Sequence, residues 1–170
     1  MLCDTCLPVV MAGTAVIMDL RTARVDNGWI VFCLGTGLTV RMFRDGPGGL
    51  PDALFGILLP LMLLGWLFVL RMLGPGDIKL FCAIGSILGA EKILKCIVFS
   101  ILIGACISAA ILISTGNIRR RFLYFIRYMS GFARTGERKP YYRSGMSAPE
   151  NFHFTVPVFL SVVLYAGGVY

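Results

Sequence analysis

Nine of the 170 residues are acidic, and two of them stand where carboxylates can do chemistry. Asp19 closes an apolar run and is followed by Leu20-Arg21-Thr22-Ala23-Arg24. Asp77 lies between two apolar runs, in Gly74-Pro75-Gly76-Asp77-Ile78-Lys79-Leu80. A carboxylate at the edge of hydrocarbon is costly, so its placement is informative. Two carboxyl groups brought together cannot both ionise cheaply and share a proton. One then takes a proton from water while the other protonates a carbonyl oxygen. That is peptide-bond hydrolysis with neither a metal nor a covalent nucleophile. Gly74 and Gly76 would let the backbone turn sharply and approach another chain closely. The same two acids would also serve as helix caps, as ion-pair partners of Arg21, Arg24 or Lys79, or as steps in an ion path. Residue types alone leave these uses open. The other seven acids read as solvated charges: Asp4, Asp45, Asp52 and Glu91 at outer helix ends or loops, Asp26 in a short polar loop, Glu137 and Glu150 in a long one.

The elements that must position such a pair follow from composition. The chain is 57% apolar and 15% charged, with mean hydropathy +0.81, against about 45–50% and about 25% in soluble domains. A disordered tail, a collagen, a coiled coil and a disulfide-stapled miniprotein are excluded. The expectation is an all-α polytopic membrane protein forming one domain over residues 1–170. Apolar runs at about 5–19, 28–43, 53–73, 78–90, 93–114 and 153–170 predict six transmembrane helices. A crossing takes about 20 residues, and the fourth run, reaching only roughly 20 Å, is short. It either crosses a thinned bilayer or ends at a water-filled cavity. Within it, Gly85 and Gly89 allow close helix contact. Between runs five and six lies a basic loop, 115–152. Ile118, Phe122, Phe125, Ile126 and Met129 there share one helical face while Arg120, Arg127 and Arg134 recur on another. That pattern predicts a cytoplasmic amphipathic helix lying on the anionic leaflet.

The +7 charge would suggest nucleic acid in a soluble domain, but in a membrane chain it marks cytoplasmic loops. Placing the connections after runs one, three and five in the cytoplasm puts Arg21, Arg24, Arg71, Lys79 and the cations of the 115–152 loop there. Arg41, Arg44, Lys92 and Lys95 remain on the other side. Asp19 and Asp77 then share the cytoplasmic face, and no nucleic-acid partner is expected. Cys3 and Cys6 form a lone CxxC, short of the four ligands of a structural zinc site, so no metal or cofactor is expected. The N-terminus lacks the basic start of a signal peptide. His153 reads as an interfacial residue without a catalytic role.

Gly74-Pro75-Gly76-Asp77-Ile78-Lys79-Leu80 resembles the GxGDxKL motif of the type IV prepilin peptidases, a family of membrane aspartic proteases. Asp19-Leu20-Arg21-Thr22-Ala23-Arg24-Val25-Asp26-Asn27 resembles the segment carrying that family's first catalytic aspartate. Gly48-Gly49-Leu50 to Gly56 and Ala83-Ile84-Gly85 to Gly89 follow its pattern as well, so the resemblance covers about residues 10–110. It implies Asp19 and Asp77 as the catalytic pair, with Gly74, Gly76, Lys79, Arg21, Arg24 and Asn27 supporting the site. It further implies six helices, a site at the cytoplasmic face of the bacterial plasma membrane, and prepilin or pilin-like substrates. These are cut between a basic leader and the apolar helix that follows. Two departures stand out. Asp26 replaces a proline common before the asparagine. The first loop lacks the long insertion with paired CxxC motifs that is linked to N-methylation, so cleavage without methylation is expected. The alternative is a non-catalytic membrane subunit of a pilus or secretion assembly. A proton-coupled carrier ranks last, because no internal repeat and no midplane acid is present.

Overall fold

The computed structural model describes residues 2–22, 25–69, 73–114 and 153–170, with backbone alone at 2–4 and 112. Six α-helices and one 3-10 turn make up the described chain: α1 (Leu2–Thr22), α2 (Asn27–Asp45), the turn Gly46–Gly49, α3 (Leu50–Val69), α4 (Pro75–Leu88), α5 (Ala90–Ser114) and α6 (Thr155–Ala166). No strand occurs among the described residues. The amphipathic helix and loop expected at 115–152 lie outside them, as do Arg24 and Arg71.

Among the described residues, three stretches are long and apolar enough to cross a membrane: Thr5–Thr22, Asn27–Val69 and Ala90–Ile111. The second holds 43 residues, which as one straight helix would run roughly 65 Å, about twice the hydrocarbon thickness. It is broken instead at Gly46–Gly49, where Pro47 and a positive φ at Gly46 (65°) end α2 and start the return. Gly37, before the break, and Gly56, after it, both abut the Gly85–Ser86 level of α4. The two helices therefore run antiparallel along α4.

The short fourth run is the centre of the molecule. Ile78 and every residue from Leu80 to Leu88 are buried, which is the signature of a helix enclosed on all sides. α1, α2, α3 and α5 pack against it, and α6 packs on α1 and α5. The closest approach is to α3. A Cβ on Gly56 would run into the Gly85 carbonyl, and one on Gly85 into the Gly56 carbonyl. Small residues permit this backbone contact. Large apolar side chains face outward instead, with Met62 at 82% and Phe43 at 87% exposure. A soluble protein would not present such a surface.

α4 ends at Gly89, whose φ of 82° suits glycine. Beside it lies a polar network that the sequence reading did not foresee. Arg41 is only 7% exposed. It pairs with Asp45 at 2.7 Å and with Asp52. The Ala90 N–H donates to Asp52 Oδ1 at 3.1 Å, capping α5. Asp45 and Asp52 are thus bound in a lock joining α2, α3 and α5, and are not simply solvated charges. Glu91 does remain at the surface, paired with Lys95 at 2.8 Å.

Candidate active site

The opposite end of α4, about 18 Å away for twelve residues of helix, gathers the two singled-out acids. Gly74 caps α4 with extended backbone (φ −72°, ψ 148°), Pro75 takes the first helical position, and Asp77 falls in the first turn. Proline suits that position because its missing N–H would be unpaired there anyway. Gly74 does not make the sharp turn expected of it. Positive φ among the described glycines occurs at Gly46, Gly89 and Gly168. What Gly74 supplies is room and a donor: a Cβ there would sit 3.2 Å from Asp77 Oδ2, and its backbone hydrogen-bonds the Asp77 carboxylate. Gly76 likewise stands in the helix, with Val25 Cγ2 at 3.9 Å from where a Cβ would be.

Asp19 lies in the last turn of α1, and α1 packs on α4. The two carboxyl groups are near enough to act on each other. Asp77 lies ahead of the buried run of α4 and outside the three spanning stretches. Burial foremost, and then the Asp19 charge, push its carboxyl up from 3.8 to about 7. The Gly74 backbone and His153 pull the other way but do not prevail. A carboxylic acid that keeps its proton near neutrality beside a second carboxylate is the pairing that acid–base hydrolysis needs.

Asp19 has partners the sequence did not reveal. Thr155 Oγ1 donates to Asp19 Oδ2 at 2.7 Å. His153 Nδ1 lies 2.9 Å from the same oxygen. The reading of His153 as merely interfacial is therefore corrected: it belongs to the carboxylate cluster. Nothing local in the sequence signals this, because 134 residues separate it from Asp19. Of the supporting residues, Lys79 Nζ donates to Asn27 Oδ1 at 2.8 Å, tying the start of α2 to the first turn and a half of α4. Lys79 and Asn27 are both exposed. Arg21 is exposed in the last turn of α1. Asp26 accepts the Trp29 N–H at 3.3 Å and so caps α2, which gives this acid a structural use. The connection between α1 and α2 is four residues long. Among the described residues, no three His, Cys, Asp or Glu side chains group as a metal site.

No curated protein and no solved structure matches the chain. The model of the type IV leader peptidase family matches residues 6–109, a stretch that contains both Asp19 and Asp77. That match covers more than half of the chain, and the protein with this helical bundle and paired acids belongs to the type IV leader peptidase family.

Proposed function

We propose that the chain is a membrane aspartic endopeptidase that removes the basic leader from prepilin or pilin-like precursors at the cytoplasmic face of a bacterial plasma membrane. Asp19 and Asp77 are its catalytic pair. The observation that carries this reading is the meeting of two family-segment carboxyl groups at one end of the bundle, with Asp77 held protonated near neutrality. Asp19, accepting from Thr155, acts as the base. It takes a proton from a water whose oxygen attacks the scissile carbonyl carbon. Asp77 gives its proton to the carbonyl oxygen. The tetrahedral intermediate then collapses: the C–N bond breaks, the leaving amine takes the proton that Asp19 now holds, and a hydroxyl of the intermediate returns its proton to Asp77 as the new carboxyl group forms. Lys79, Asn27 and Arg21 lie around this end as polar support, with Arg24 following in sequence.

The six apolar runs are read as crossing the bilayer, the fourth (78–90) as an enclosed crossing with Asp77 just outside it at the end of α4. Both acids then face the side that carries most of the cations. The four-residue α1–α2 connection supports cleavage without methylation, since it has no room for the insertion linked to that second activity. The test is direct. Incubate the detergent-purified chain with a prepilin and read the new N-terminus by mass spectrometry. Wild type cuts after the leader, while Asp19→Asn and Asp77→Asn lose at least about 100-fold in rate, within the range one acid–base group supplies. If either variant cuts as well as wild type, the dyad is wrong.

A further inference from the structure

The hydrogen-bond partners of Asp19 come from a part of the chain that the family match, ending at residue 109, does not reach. His153 precedes α6 and Thr155 is its first residue. Their Nδ1 and Oγ1 atoms converge on one oxygen, Asp19 Oδ2. The Thr155 contact is unlike the other threonine contacts. The hydroxyls of Thr14, Thr36 and Thr39 return to a carbonyl four residues back on their own helices. Thr155, at the head of α6, instead reaches across to α1. It is 1% exposed, so its hydroxyl must find a partner inside the protein.

The start of α6 is itself held in place. Pro157 and Val158 are buried. The Phe154 ring lies 6.4 Å from that of Phe81 on α4. Farther along, Ser161 Oγ donates to the Cys96 carbonyl of α5 at 2.9 Å. A donor pair fixed by packing before substrate arrives holds a carboxylate in one orientation without further cost at the moment of reaction. Asp77 of α4 is near enough for its carboxyl to feel the charge of His153.

We infer that His153 and Thr155 are positioning residues which hold the Asp19 carboxylate, so that α6 completes the active site. The inference rests on the proteolytic reading above. In this arrangement the His153 ring donates from Nδ1 to Asp19 Oδ2. The chain has a single histidine, so ring 15N labelling gives one residue's signals. Two readouts on the full chain in detergent micelles test the inference. First, the ring 15N shifts at alkaline pH report the Nδ1–H tautomer in wild type, and Asp19→Ala abolishes that preference. Second, Thr155→Val and His153→Ala lower kcat on a prepilin roughly 10- to 100-fold, the loss expected for a hydrogen bond to a charged group, with KM unchanged. Thr155→Ser, which keeps the hydroxyl, and His153→Asn, whose amide can stand in for Nδ1–H, recover most of the rate. His153 is partly exposed, so its variants remain informative even where Thr155→Val folds poorly. A wild-type ring in the Nε2–H tautomer, or His153→Ala with unaltered kcat, overturns the positioning role while leaving the dyad intact. Wild type that cleaves no prepilin overturns the proteolytic reading and this one with it.

Discussion

Replacing Asp77 by asparagine should stabilise the protein while abolishing cleavage, and the gain should grow with pH. The folded protein holds the Asp77 carboxyl at about 7, against an ordinary 3.8. The unfolded chain therefore gives up this proton at lower pH than the folded one does. Stability falls wherever the unfolded state binds fewer protons, here as pH rises from about 4 to about 7, and it levels off above that. The integrated loss is about 4 kcal/mol, at about 1.4 kcal/mol per pH unit. Asparagine has no proton to lose, and its carbonyl oxygen can still accept the hydrogen bond that Gly74 gives Asp77. Thermal unfolding of both proteins in one detergent, from pH 4 to pH 9, should give equal stabilities at pH 4. At pH 8 the variant should lead by about 4 kcal/mol, on the order of 10 °C in Tm for a chain of this size. Asp19→Asn removes the second cause of the shift, so its pH-dependent loss should still begin near pH 4 but end at lower pH, with a smaller total. A Tm difference that stays constant across the range, or a variant less stable than wild type at pH 8, would refute the argument that burial and the Asp19 charge hold this proton.

Three further outcomes follow from the same geometry. The cleavage rate should decline as pH rises through about 7, because Asp77 must carry its proton to act as the acid; a kcat profile flat from pH 6 to pH 9 would contradict that role. Gly85→Ala should cost about 1–3 kcal/mol of stability, typical of overpacking, since its Cβ meets the Gly56 backbone more closely than any side chain; unaltered Tm would contradict the close α3–α4 contact. A double-mutant cycle on Lys79→Met and Asn27→Ala should give a coupling below about 1 kcal/mol, because both partners are exposed and such contacts are weak.

Much of this protein was legible in one dimension. The apolar runs matched the described helices in order, with ends close to those observed, because hydrocarbon length and turn residues act locally. Asp19 and Asp77 stood out because acids at the edges of apolar runs are rare and costly. Local pattern misled where a residue's partner is distant. Arg41, Asp45 and Asp52 read as ordinary outer-face charges, yet the fold-back at Gly46–Gly49 gathers them around a buried guanidinium. His153 read as an interfacial residue, yet α6 docks it onto Asp19.

The sequence alone thus determined the helices, the membrane setting their composition demands, and the two acids at helix ends. Only the tertiary structure decided that α4 is the enclosed centre, that Gly56 and Gly85 set the distance between α3 and α4, and that one end of the bundle holds a carboxylate cluster joined by Thr155 of α6 and His153 just before it. The physical reason is the range of the forces. Hydropathy and capping depend on neighbours a few residues away. The desolvation that raises Asp77 and the hydrogen bonds that hold Asp19 arise only once packing brings distant segments together.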